Sequence, residues 1–164
     1  MPTEHLLEQV QLIPAPVEAV FPFFADAHNL QRITPPFLNF KIMTSAPIEM
    51  RTGALIEYQI RLYGMPIRWR TIIDEWDPGV RFVDRQIRGP YNLWHHTHEF
   101  HATSEGTVMV DRVRYQIPYG PIGAIARRMF VGRTLERIFA YRYRAIAEIF
   151  AAELTPELKQ PALL

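Results

Sequence analysis

A chain of 164 residues, 48% hydrophobic and 21% charged, fits one domain able to bury its own core. Its net charge of +1, with six histidines counted neutral, lacks the clustered positive excess that phosphate binding requires, so no nucleic-acid partner is expected. The absence of cysteine excludes disulfides, thiol nucleophiles and cysteine-ligated zinc.

The opening "MPTEHLLEQVQ" has no positive stretch followed by an apolar run, which argues against a signal peptide. No window reaches about 18 uninterrupted apolar residues. The expectation is a cytoplasmic protein with no stable membrane insertion. Residues 4–13 read as a strand ended by "PAP". Val17 to Ala25 carries apolar residues at 17, 20, 21 and 24, a helical spacing with Pro16 near its start. "DAHNLQRITPPF" follows as a short helix or turn that Pro35 and Pro36 must end. Its "TPPF" stretch, Thr34–Phe37, is a candidate rim. Strand-length runs then cover Phe40–Thr44, Ala54–Leu62, Ile67–Trp76, Arg81–Arg88, Leu93–Ala102 and Thr107–Ile117. The turn chemistry between the later runs is "YGMP", "DPGV", "GPYN" and "TSEG". From Ile122 to Ala152 the chain reads as helix, and residues 155–164 as a flexible tail behind a single domain of residues 1–154.

Strand, helices, six strands and a long helix, with short turns between strands, predict an α+β fold. In it a curved antiparallel sheet wraps around the C-terminal helix. Strand alternation then sorts the histidines of "NLWHHTHEFHA". His96 and His98 share a face with Trp94 and Phe100, whereas His95 and His101 share the solvated face with Thr97 and Glu99.

The turns permit a register prediction. A "TSEG" loop pairs Phe100 with Met109, His98 with Asp111, His96 with Val113 and Trp94 with Tyr115. A "DPGV" loop pairs Ile73 with Asp84 and Thr71 with Gln86. A "YGMP" loop pairs Ile60 with Trp69 and Ile56 with Ile73. All three agree on one inner face, largely aromatic and aliphatic, with Asp84, Gln86, His96, His98 and Asp111 as its polar neighbourhood. Arginines, Glu57 and Gln59 fall on the other. The helix presents a stripe of Leu135, Ile138, Phe139, Arg142, Ile146 and Ile149. A buried, unpaired Arg142 costs several kcal/mol, so Asp84 or Asp111 is its expected partner.

The stretches "PAPVEAVFPFFADAHNLQRITPP", "GPYNLWHHTHEF" and "DRVRYQIPYGPIG…FAYRYRAI" resemble the SRPBCC superfamily of START/Bet v 1-like domains. The nearest group is that of ligand-binding SRPBCC proteins near polyketide cyclase/dehydrase and lipid-transport proteins. The resemblance runs from about Glu4 to Phe150. It implies a helix-grip fold with a cavity between sheet and C-terminal helix, and a small hydrophobic molecule as partner. No catalytic assignment carries over from that group.

Three uses of the inner face are open. As a binder, the protein holds a small apolar or aromatic molecule, lipid- or polyketide-like. The candidate ligand-binding residues are Tyr58, Trp69, Phe82, Asp84, Trp94, His96, His98, Phe100, Tyr115 and Arg142. As a cyclase, dehydratase or hydrolase, it uses His98 held by Asp111 as a general acid/base pair. A metal on His96 and His98 with Asp84 or Asp111 has suitable ligand types. Paired strand histidines are more often hydrogen-bonded core residues, however, so neither metal nor cofactor is expected. The sequence does not specify an oligomeric state.

Overall fold

A computed structural model describes residues 3–118 and 121–154, the side chains of 121–129, 153 and 154 excepted. The expected tail, residues 155–164, lies outside the described residues. Strand β1 (Glu4–Ile13) leads into helix α1 (Val17–Ala25), two 3-10 turns (Ala27–Ile33 and Pro36–Leu38) and a short strand β2 (Lys41–Ile42). A meander follows: β3 (Leu55–Leu62), β4 (Met65–Asp77), β5 (Arg81–Arg88), β6 (Leu93–Thr103) and β7 (Gly106–Gln116). Helix α2 (Pro121–Leu154) completes the order. The strands form one antiparallel sheet in the order β1-β7-β6-β5-β4-β3-β2. The expected α+β, helix-grip architecture is the one observed.

The β6–β7 register is the one the turn predicts, from Trp94 opposite Tyr115 to Ala102 opposite Thr107. The turn itself is tighter than "TSEG", since Thr103 pairs with Gly106. Gly106 has φ +135° and crosses the end of β1 so closely that a Cβ there meets Ile13 O at 2.2 Å. Only glycine fits that crossing.

Between β4 and β5 the pairs Ile73–Asp84 and Thr71–Gln86 also hold, by a route the sequence did not show. Asp77 pairs with Arg81 across a three-residue loop, and an irregularity between Ile73 and Glu75 then resets the register by one.

The β3–β4 register requires a correction. Tyr58, not Ile60, lies opposite Trp69, and Thr71, not Ile73, lies opposite Ile56. The loop is the two residues Tyr63 and Gly64, with φ +50° and +79°, the signature of a type I′ hairpin. Assuming a four-residue loop slides the register by two, and a slide of two leaves each side chain on its face. The inner face therefore survives the error.

The outer face is a lattice of arginine–carboxylate pairs. Arg85 grips Asp74 at 2.6 and 3.1 Å, Arg114 grips Glu4 at 2.7 and 3.3 Å, and Arg112 joins Glu8 to Glu99. Such exposed pairs are worth little singly, and the forked guanidinium suits them better than lysine's ammonium does.

On the inner face α2 lays down Leu135, Phe139, Arg142, Ile146 and Phe150, all buried. Leu135 and Phe139 pack with Trp69, Trp94, Val113 and Tyr115; Ile146 and Phe150 pack with the phenylalanines of α1 and with Phe82 and Phe100. Each such side chain contributes about 1.5–3 kcal/mol on burial. Between these two clusters sits Arg142. Among the described residues no helix is long and apolar enough to cross a membrane.

Candidate functional site

Three neighbouring strands deliver four ionisable groups to one spot beneath Arg142. Asp84 on β5 lies opposite His96 on β6, and Asp111 on β7 lies opposite His98. Alternation puts all four on the inner face, and the diagonal neighbours are also in reach. His98 Nε2 hydrogen-bonds Asp84 Oδ2 at 2.9 Å, and His96 Nε2 hydrogen-bonds Asp111 Oδ1 at 3.2 Å. His98 Nδ1 stands 2.6 Å from the same Asp111 oxygen, an ionic contact directed poorly for a hydrogen bond. Arg142 Nε donates to Asp111 Oδ2 at 3.0 Å. Thr71 Oγ1 reaches Asp84 Oδ1 at 3.3 Å.

Of the two partners considered for Arg142, the structure selects Asp111. Side-chain exposure is 8% for Arg142 and 5% for Asp111, so this pair is a buried one. Burial opposes ionisation of Asp111, but Arg142 and the two imidazoles outweigh it and hold the carboxyl well below its usual range. Asp84 is likewise lowered against burial, by His98, His96 and Thr71. The imidazole rings lie 3.7 Å apart between centroids and are pushed in opposite directions. Burial and repulsion from His98 lower His96. Burial also opposes charge on His98, but Asp111 and Asp84 prevail and raise it.

Beside this cluster lies a cavity of about 110 Å³. Tyr58, Phe82, Asp84, Trp94, His96, His98 and Arg142, all expected site residues, line it. Asp111 sits beneath, holding the lining groups. Trp69, Phe100 and Tyr115 do not line it: Trp69 and Tyr115 pack with Trp94 on one side, and Phe100 with Phe21 and Phe24 on the other. Gln86, placed by the sequence in the polar neighbourhood, instead ties the β5–β6 connection through Tyr91 O at 2.7 Å. Burial raises the phenol of Tyr58 well above its usual range, with Asp84 adding to the effect.

Two polar atoms of residues in the lining have no hydrogen bond to another described residue. Arg142 Nη2 is buried and finds no acceptor among the described residues. His96 Nδ1 is 3.8 Å from Asp84 Oδ2, beyond hydrogen-bond reach.

The cavity's far wall was missed. Phe23, Phe24, Asp26, Asn29, Leu30 and Ile33 close it from α1 and the first 3-10 turn. The signal was the spacing of Ala27, Leu30 and Ile33, three residues apart, which aligns them along one side of a 3-10 turn. Asp26 caps that turn by accepting from His28 N at 2.9 Å. Thr34–Phe37, the expected rim, is not part of the lining, and the exposed edge is one turn earlier, at Asp26.

A family model described as polyketide cyclase / dehydrase and lipid transport matches residues 4–154. Among solved structures, the ZhuI aromatase/cyclase from Streptomyces sp. R1128 superimposes with a TM-score of 0.74 at 15% identity, covering 94% of this chain and 98% of that one. TTHA0849 from Thermus thermophilus gives 0.62 at 24% identity, covering 92% and 99%. Ara h 8.0201 gives 0.64 at 14%, with the same coverage. These likenesses establish a shared fold. No curated protein matches significantly.

Proposed function

The chain belongs to the polyketide cyclase/dehydrase and lipid transport family, and from that premise we propose that its cavity holds a small, mainly apolar or aromatic guest carrying an acceptor oxygen. The observation that supports this reading best is Arg142. A buried guanidinium nitrogen without an acceptor costs of the order of 1–3 kcal/mol. Here it belongs to a residue of a cavity walled mainly by rings and aliphatic groups, with Asp26, Asn29, Thr71, Asp84, His96 and His98 as the other polar members. A carbonyl or carboxylate oxygen meets that need, and His96 Nδ1 offers a second polar contact. Mostly apolar pockets with a few fixed polar groups are the usual form of small-molecule sites.

The volume limits the guest. At about 110 Å³ the space compares with the engineered apolar cavity of about 150 Å³ that admits benzene. The space is smaller than that one, so at most a single ring suits the walls as they stand. A lipid- or polyketide-sized guest requires a wall to move outward, and the Asp26–Ile33 segment, exposed at Asp26, is the proposed one.

A second reading, cyclase or dehydratase chemistry with His98 and Asp111 as the acid/base pair, draws on the two carboxylates around His98. The geometry favours it less. Nε2 of His98 is bonded to Asp84 and Nδ1 faces Asp111, which leaves neither nitrogen for a guest.

The test is calorimetric titration of the protein with single-ring aryl ketones and phenols. The reading expects one saturable site per chain, removed in Ile56→Phe, which fills the cavity from β3. Binding unaffected by Ile56→Phe, or absent for these probes and for acyl chains alike, contradicts it.

A further inference from the structure

The cavity wall carries a second arrangement, independent of any guest. One ligating atom from each of Asp84, His96 and His98 lies within 4.8 Å of the others, and all three residues line the cavity. The atoms that face one another are His98 Nε2, 2.9 Å from Asp84 Oδ2, and His96 Nδ1, 3.8 Å from the same oxygen. Ligand atoms about 2.0–2.2 Å from one ion are separated by about 3.0–3.5 Å, so the first pair is at coordination spacing and the second nearly so.

The opposite nitrogens both lie beside one carboxylate oxygen: His96 Nε2 hydrogen-bonds Asp111 Oδ1 at 3.2 Å, and His98 Nδ1 stands 2.6 Å from the same oxygen as an ionic contact. Metal-binding histidines almost always give their other ring nitrogen to a carboxylate or carbonyl, which fixes the tautomer and raises ligand basicity. Here one carboxylate serves both rings, and Arg142 holds that carboxylate by its second oxygen. Two imidazoles and a carboxylate, backed in this way and opening on a cavity, form an ion site with room for a further ligand.

We infer that Asp84, His96 and His98 bind a divalent first-row transition-metal ion, with Asp111 and Arg142 as positioning residues behind them. The ion lies where the His98–Asp84 hydrogen bond now runs, and its remaining position faces the cavity. Imidazole with carboxylate suits zinc, iron, cobalt and nickel, whereas calcium and magnesium prefer oxygen ligands throughout. The inference stands on the ligand geometry alone and fails or survives separately from the guest-binding reading.

The experiment uses the full chain, stripped with chelator and titrated with Co²⁺ and Zn²⁺ without any organic guest. The expected result is one tight site per chain and a visible Co²⁺ absorption spectrum. Asp84→Ala, His96→Ala and His98→Ala each remove the spectrum, while His28→Ala and His101→Ala, on the surface, leave it unchanged. Asp111→Asn keeps a spectrum, shifted, with affinity lower by about 10–100-fold. Imidazole NMR of the unaltered protein covers the case of variants that fail to fold: Co²⁺ broadens His96 and His98 before His5, His28 or His101. No saturable binding, binding that persists in all three triad variants, or broadening confined to the exposed histidines overturns the inference.

Discussion

Replacing Arg142 by methionine isolates the interaction on which the buried cluster depends. Methionine keeps most of the length and apolar volume of the stem, so the packing against Phe24 and the sheet changes little. What disappears is the guanidinium 3.0 Å from Asp111 Oδ2. With Arg142 gone, Asp111 loses its guanidinium partner and the two carboxylates keep only the imidazoles, in a site where Asp111 is 5% exposed and His98 4%. Removing one partner of a buried pair costs about 3–5 kcal/mol, because the other charge is left enclosed. For a domain of this size each kcal/mol lowers Tm by about 2–4 °C, so Arg142→Met should melt roughly 6–20 °C below the parent. Adding Asp111→Asn removes the stranded charge, so the double variant should lose less than the sum of the single losses, with a coupling energy of about 1–3 kcal/mol. Urea unfolding of the four proteins at neutral pH measures all terms. A loss under about 1 kcal/mol for Arg142→Met, or strict additivity in the cycle, refutes the reasoning, since exposed pairs behave in that way.

Leu30→Trp, on the half-buried wall of the 3-10 turn, should block guest entry and reduce affinity at least tenfold by calorimetry, while stability changes by no more than about 1 kcal/mol. Gly106→Ala should cost at least about 2 kcal/mol in urea unfolding, because its Cβ meets backbone at 2.2 Å and its φ of +135° suits glycine alone. Tyr58 and Tyr91, both raised by burial, should ionise in the folded protein only above the pH at which a free phenol does. The stability these neutral phenols contribute is complete below the unfolded value near 10 and is lost as pH rises beyond it. A spectrophotometric titration in which Tyr58→Phe or Tyr91→Phe removes a phenol that ionises near the ordinary value of about 10 contradicts this assignment.

The polar cluster was legible because strand alternation has a period of two and the "TSEG" turn fixes β6 against β7. His96, His98 and Asp111 followed from those two facts, and Arg142 from its place in an apolar helical stripe. The β3–β4 register was not legible at the same level. A tyrosine with positive φ at the first turn position gives no compositional warning, and a shift of two leaves the burial pattern unchanged. The cavity itself was legible only from one side. Alternation identifies which residues face inward, but not which are covered: Trp69, Phe100 and Tyr115 face inward and are packed over, as the neighbouring rings from β5, β6 and α1 reach them first. The opposing wall comes from a 3-10 turn whose three-residue period is too short to stand out beside a helix and two prolines.

The proposed guest site depends on a polar floor of Asp84, His96, His98 and Arg142, held from beneath by Asp111, that opens on the cavity. The most direct measurement is the imidazole ¹⁵N spectrum of the protein during titration with a single-ring aryl ketone. Saturable shifts are predicted at His96 and His98, with His5, His28 and His101 unmoved. Shifts spread evenly over all the histidines, or none at saturating probe, would contradict the claim.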